Sequence, residues 1–325
     1  MQQEDEFMAD RRHGQGEGAG CGRAVLRVAR GLALGFGLGA STLAALACPQ
    51  PGDVFDAWIV AAGPGGAPAI ALRQHAPSTA NVASSIWNRP LVALLLASAA
   101  GTMEPQTLPQ RLADSGPPRS SEVSVAAVAT PASPCASLLL HAKRAGVPSA
   151  LVHFDARGVV ADVQSLTAQT LGFDPARYEW SVTAPGADAD ADGNDNGNGN
   201  GAPTLVVSEG DAARGALARR PDGVYAMDPA ASAVAVWNSF LKAANSGDAK
   251  LAVAHLANGA RNRLAHDLLA AGPGIAALAR DVVYVGADYV ADEIVAVQTV
   301  VRITSESHRV FEQQIMRHEG LWFVE

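Results

Sequence analysis

The strongest constraint on the fold is a change of period after Asp228-Pro229, from helical spacing to strict alternation. Val236, Trp237, Phe240, Leu241 and Ala244 fall on one face of a helix that Asn245-Ser246-Gly247 ends. Asp248 is placed to cap a second helix carrying Leu251, Ala252 and Leu256, with Asn258-Gly259 as its stop. A third helix presents Leu264, Leu268 and Leu269 and halts at Gly272-Pro273-Gly274, after which a turn with Ile275 and Leu278 leads into strands. Val295, Val297, Thr299, Val301 and Ile303 alternate onto one strand face. Ser305-Glu306-Ser307 reverses the chain, His308 to Met316 returns, and His318-Glu319-Gly320 turns again into Leu321-Trp322-Phe323-Val324. Helices followed by an antiparallel meander predict an α+β region with helices on one face of a sheet. Trp237, Phe240, Leu264, Leu268 and Trp322 are its expected core, and residues 229–325 are expected to fold alone.

The segment FLKAANSGD from Phe240 to Asp248, the following Ala/Leu-rich helix, ANGARNRL from Ala257 and the closing EGLWFVE carry a resemblance. Together they resemble the nuclear-transport-factor-2-like superfamily, the cystatin-like cone, over residues 229–325. The region is also similar to uncharacterised bacterial envelope proteins that end in such a domain. The resemblance implies helices on a curved antiparallel sheet, and no single activity, because that fold hosts isomerases, dehydratases, binding modules and structural domains. A catalytic cone needs a carboxylate and a tyrosine facing its interior. Tyr284, Tyr289, Asp288 and Asp292 are the candidates, but they bracket an expected turn and should face solvent for the most part.

The N-terminal region points to export. Residues 1–22 are polar and Gly-rich and read as a disordered leader or as an extension from a misassigned start, with Met8 as an alternative start. In residues 23–48, Arg23, Arg27 and Arg30 precede the uncharged run GLALGFGLGASTLAALA, which ends in Ala45-Leu46-Ala47 before Cys48. A basic start, an apolar middle and small residues at −3 and −1 are the parts of a secretory signal. The same residues approach a lipobox, which makes Cys48 a candidate lipidation site, although Leu46 sits at −2 rather than −3 and Pro49 follows. An uncleaved anchor or a buried apolar helix would use the same run.

Residues 49–185 read as an uncertain mixed α/β region. FDAWIVAAGPGGAPAIALR suggests two strands around a Gly-Pro turn, while LVALLLASAAG is helical in composition. EVSVAAVA, SALVHFD and RYEWSVTA read as strands, CASLLLHAKRAG as a helix, and VVADVQSLTAQTLGFD as a helix ending near Gly172. A hairpin through Asp155-Ala156-Arg157-Gly158 would instead make the region β-rich. Residues 186–201 form a Gly/Asn/Asp linker or loop with no packing side chain, and residues 202–228 supply a strand and a connector. Because APTLVVSE resumes a strand after the run, it can be an insertion inside a domain as well as a boundary.

Composition narrows the functions. A formal net charge of −8 over 325 residues argues against a nucleic-acid partner. Cys21, Cys48 and Cys135 are too few and too scattered for a disulfide scaffold or a zinc site. Ala61-Ala62-Gly63-Pro64-Gly65-Gly66 lacks the first Gly and the acidic partner of a dinucleotide turn. Asp188, Asp190, Asp192 and Gly193 open like a calcium loop, but position twelve is Gly199. Ser239-x-x-Lys242 lacks its Lys-Thr-Gly companion, and His255, His266, His308 and His318 are scattered. No catalytic, cofactor-binding or metal residue is assigned. The expected function is that of an exported envelope protein whose cone is a structural or interaction module. The alternative is a small-molecule-binding protein or steroid-isomerase-like enzyme. A protein partner, a small apolar ligand, a homodimer and membrane anchoring through the N-terminus remain open.

Overall fold

The second sheet decides how the chain is layered, because both of its faces are covered. In this computed structural model, residues 48–61, 68–74, 93–97, 103–106, 122–130, 133–183, 203–302 and 307–325 are described. They form four antiparallel four-stranded meanders in chain order. The first is β1 (Phe55–Ala61), β2 (Pro68–Gln74), β3 (Ala93–Ala97) and β4 (Met103–Gln106). The second is β5 (Val123–Val128), β6 (Ser137–Ala142), β7 (Ser149–Phe154) and β8 (Val160–Leu166). A short helix, α1 (Ala168–Leu171), leads to the third: β9 (Glu179–Thr183), β10 (Thr204–Glu209), β11 (Ala212–Arg219) and β12 (Tyr225–Met227). Helices α2 (Pro229–Asn245), α3 (Ala249–Ala254), α4 (Asn258–Ala271) and α5 (Ile275–Ala279) follow. The fourth sheet is β13 (Val282–Val290), β14 (Ile294–Arg302), β15 (His308–His318) and β16 (Leu321–Val324).

Three successive cores join these layers. Leu138, Leu140, Val152 and Phe154 of the second sheet pack with Ile70 and Leu72 of the first. Leu139, Leu151 and Leu166 from the same sheet join Leu205, Val207, Leu217 and Tyr225 of the third. The strand β6 is therefore buried along its whole length. A strand covered on both faces carries an unbroken apolar run, which in isolation does not differ from a buried helix segment. That is why CASLLLHAKRAG reads as a helix and folds as β6. The run containing Ala93–Ala97 likewise pairs as β3. VVADVQSLTAQTLGFD divides into β8 and the single turn α1, which Thr167 caps and Gly172 ends at φ +83°.

The β-rich alternative holds for the middle of the chain. The Asp155 carboxylate accepts the backbone N–H groups of Arg157 and Val159, both at 2.9 Å, and so fixes the β7–β8 turn. The β9 and β10 strands pair directly, Thr183 opposite Thr204. The Gly/Asn/Asp run at 186–201 lies outside the described residues, yet the strands on either side of it are neighbours in one sheet. It interrupts a hairpin and does not separate two domains.

Helix α2 begins as its sequence requires. Asp228 accepts the Ala231 N–H at 2.7 Å and Pro229 occupies the first turn. Asp248 caps α3 through the Leu251 N–H at 2.9 Å. That helix stops at Ala254, and Asn258-Gly259 opens α4 where a stop was expected. The third core gathers Ala233, Val236 and Trp237 of α2 with Val295, Val297, Ile315, Trp322 and Val324 of the sheet. Phe240 and Leu268 pack at its margin. Leu264, expected in the core, is 44 % exposed, and Leu269 is also exposed. The α4 helix leans on α3 and the Gly272–Gly274 turn, so its apolar stripe is only partly used.

The C-terminal region is not closed off at residue 229. The small side chains of β11 let α2 approach closely, and Ser232 Oγ accepts the Ala216 N–H at 2.9 Å and donates to the Ala216 carbonyl at 3.2 Å. Strand β16 serves two cores at once: Trp322 and Val324 enter the third, while Leu321 and Phe323 pack into the second. At Gly320, φ is +85°, and an added Cβ would lie 2.8 Å from the Gly172 carbonyl oxygen.

These contacts predict a ranking of substitutions. Trp322→Ala should lower stability by about 3–5 kcal/mol, because it empties a fully enclosed site. Gly320→Ala should cost more than about 1 kcal/mol, from the strained φ and the clash together. Leu264→Ala should change stability by less than about 1 kcal/mol. Urea unfolding of the three variants measures all three values.

Candidate functional site

The enzyme reading requires a cavity inside the fourth sheet. Among the described residues that space is taken by side chains of the protein itself: Trp322, Val295, Val297 and Ile315 are fully buried, with Trp237 stacked on Phe240 at 5.2 Å. Tyr284 packs part-buried against this core, and burial pushes its hydroxyl pKa up. Tyr289 is 60 % exposed and Asp292 lies in the exposed β13–β14 turn. The Asp288 side chain lies outside the described residues. Tyr284 faces the core while Tyr289 and Asp292 face solvent, so the candidate set does not converge on one point.

Ser239 and Lys242 do not form a pair. Lys242 is exposed, while Ser239 donates to His255 Nε2 at 2.7 Å. His255 Nδ1–H donates to the Leu251 carbonyl at 2.8 Å, which leaves Nε2 as the acceptor. The ring is fully buried against the edge of Phe240. A histidine without solvent access cannot deliver a proton to a substrate, so the Ser239–His255 pair ties α3 to α2. His266, His308 and His318 are exposed.

Ala61 and Pro68 are antiparallel partners in β1 and β2. The Ala61–Gly66 segment thus connects two strands, whereas a dinucleotide turn connects a strand to a helix. The acidic run with Asp188, Asp190 and Asp192 lies outside the described residues.

Cys48 is bonded to Cys135, with the Cα atoms 4.9 Å apart. The Pro49 carbonyl accepts the Ala136 N–H at 2.7 Å, and Gln50 donates to the Pro134 carbonyl at 2.8 Å. Two cysteines that are 87 positions apart are brought together because the first sheet packs on the second. The three cysteines, read as too few and too scattered for a disulfide scaffold, still supply this one bond. The Cys48 sulfur is also the atom a lipid thioether would use, so the disulfide and lipidation exclude one another.

The sequence did not reveal a polar cleft among the described residues. It measures about 250 Å³ and lies between β7–β8 and the β11–β12 turn. Ser137, His153, Asp162, Gln164, Arg219 and Asp222 line it. Asp162 stands directly opposite His153 across the β7–β8 pair. His153 Nδ1 is 2.7 Å from Ser137 Oγ, which is 3.2 Å from Thr130 Oγ1. Gln164 is committed to the Tyr225 backbone at both ends of its amide. Asp222 accepts the Val224 N–H at 3.0 Å. Burial lowers the His153 pKa, Asp162 opposes that shift and Arg219 adds to it. The signal that could have found this group is a polar face, His153 with Asp162 and Gln164, on a hairpin whose other face is apolar. It becomes readable only once the β-rich alternative is chosen.

The buried histidines carry a pH prediction. Burial lowers the pKa of both His141 and His255 from 6.5 to about 4. Between these values the unfolded chain binds protons that the folded chain refuses, so stability falls as pH drops from about 6.5 to about 4. The melting temperature should decline across that window, and His255→Gln should flatten the slope. Thermal melts at stepped pH provide the test.

Compared with family models, curated proteins and solved structures, the chain matches none.

Proposed function

We propose that this is an exported envelope protein whose C-terminal region is a structural or interaction module of the nuclear-transport-factor-2-like kind. The observation that carries the export half is the Cys48–Cys135 bond, because such bonds persist in oxidising compartments outside the cytosol. Its position fits the Ala45-Leu46-Ala47 signal. Cleavage after Ala47 would make Cys48 the first residue of the mature chain and leave that residue pinned to the second sheet. No helix among the described residues is long and apolar enough to cross a membrane.

The module half rests on the filled interior of the fourth sheet. Helices lie over an antiparallel sheet whose β13 strand is bent by two register shifts. The steroid-isomerase-like alternative needs an enclosed space with a carboxylate beside a tyrosine, and Trp322 with its neighbours occupies that position. Outward-facing Val283, Tyr289 and Val310 instead offer an apolar surface.

Mass measurement of the purified mature chain tests the export reading. The expected product starts at Cys48 and is lighter by two hydrogens than its reduced form. Intact residues 1–47 on soluble cytoplasmic protein would overturn it. Cys135→Ala should lower stability by about 2–5 kcal/mol, since the bond closes a long loop.

A further inference from the structure

The cleft between β7–β8 and the β11–β12 turn contains three polar groups with no hydrogen-bond or ion-pair partner among the described residues. Arg219 makes no hydrogen bond or ion pair among the described residues, and its Nε is buried without a partner. A guanidinium presents five donors and cannot be neutralised by losing a proton, so a half-buried one without an acceptor is costly. Asp162 likewise makes no hydrogen bond or ion pair among the described residues, although it lines the same space. The third group is His153 Nε2.

The hydroxyl chain behind the ring engages its other nitrogen, Nδ1. The Val128 carbonyl only accepts, so Thr130 donates to it at 3.4 Å. In the tautomer with its proton on Nδ1, His153 donates to Ser137, Ser137 donates to Thr130, and Nε2 is an acceptor. The other polar linings are already used: Gln164 on the Tyr225 backbone and Asp222 on its own turn.

One wall therefore offers donors with a positive charge, and another offers two acceptors with a negative charge. A simple anion would satisfy Arg219 but meet Asp162. A simple amine would satisfy Asp162 but leave Arg219 empty. We propose that the cleft binds a small zwitterion of the free amino acid class, with its carboxylate on Arg219 and its ammonium on Asp162 and His153 Nε2. The volume supports a small ligand, since drug-sized molecules need roughly 300–1,000 Å³. This proposal does not depend on the export reading or on the C-terminal region.

The test is calorimetric titration of the full chain with glycine, alanine, serine and glutamate, each compared with a matching simple amine and simple carboxylate. At least one amino acid should bind saturably, and its amine and carboxylate counterparts should bind at least about tenfold more weakly. Arg219→Gln and Asp162→Asn should each weaken binding at least about tenfold, while the neighbouring Arg220→Gln should not. Circular dichroism melts of each variant separate lost binding from lost folding. A lost fold in Arg219→Gln would shift the decision to Asp162→Asn, which alters only an exposed side chain. Absence of binding by all four amino acids would overturn the proposal. Equal binding of a simple carboxylate, or unaltered binding by the folded variants, would also overturn it.

Discussion

Burial of the second sheet on both faces is the constraint on which the rest depends. Leu138 and Leu140 point into one core and Leu139 into the next, so the sheet can exist only with a layer on each side. The first sheet covers one face and is fastened there by the Cys48–Cys135 bond. The third covers the other face and offers its own far side to α2. Each layer makes the surface on which the following layer is stable.

Polar groups inside this stack are handled in one recurring way. His141 lies 3.2 Å from Ser149, His153 2.7 Å from Ser137 and His255 2.7 Å from Ser239. A hydroxyl both gives and receives, so it adapts to whichever nitrogen carries the proton. His141 and His255 are sealed, and there the pairing only removes an unmet polar group. His153 alone among these three borders a cleft. The outcomes differ in what covers the ring and in which ring nitrogen meets the hydroxyl.

The parts of the fold that were legible in the sequence are those in which local chemistry and the final packing agree. Asp228 and Asp248 cap the helices they precede, and Val295, Val297 and Thr299 alternate into the core. The failures occur where tertiary neighbours decide. An apolar triplet at Leu138–Leu140 becomes a strand only because two sheets enclose it. The segment Ala212–Arg219 falls in the stretch read as a strand and a connector, and it forms β11, whose small side chains admit α2. Leu264 keeps helical spacing and still faces outward, because α4 turns Ala260 and Leu268 to the third core instead. The cleft needed the correct pairing of β7 with β8, which the sequence left undecided.

The alternation in β16 also has a consequence for the order of assembly. Its four residues come after every other contributor to the second and third cores, and they are divided between the two. Until they arrive, the earlier layers hold open two apolar faces that no local contact can close. A chain that passes through a membrane pore from its N-terminus would emerge with both faces uncovered for most of its passage. The stability of the completed sheets counts only after β16 has docked.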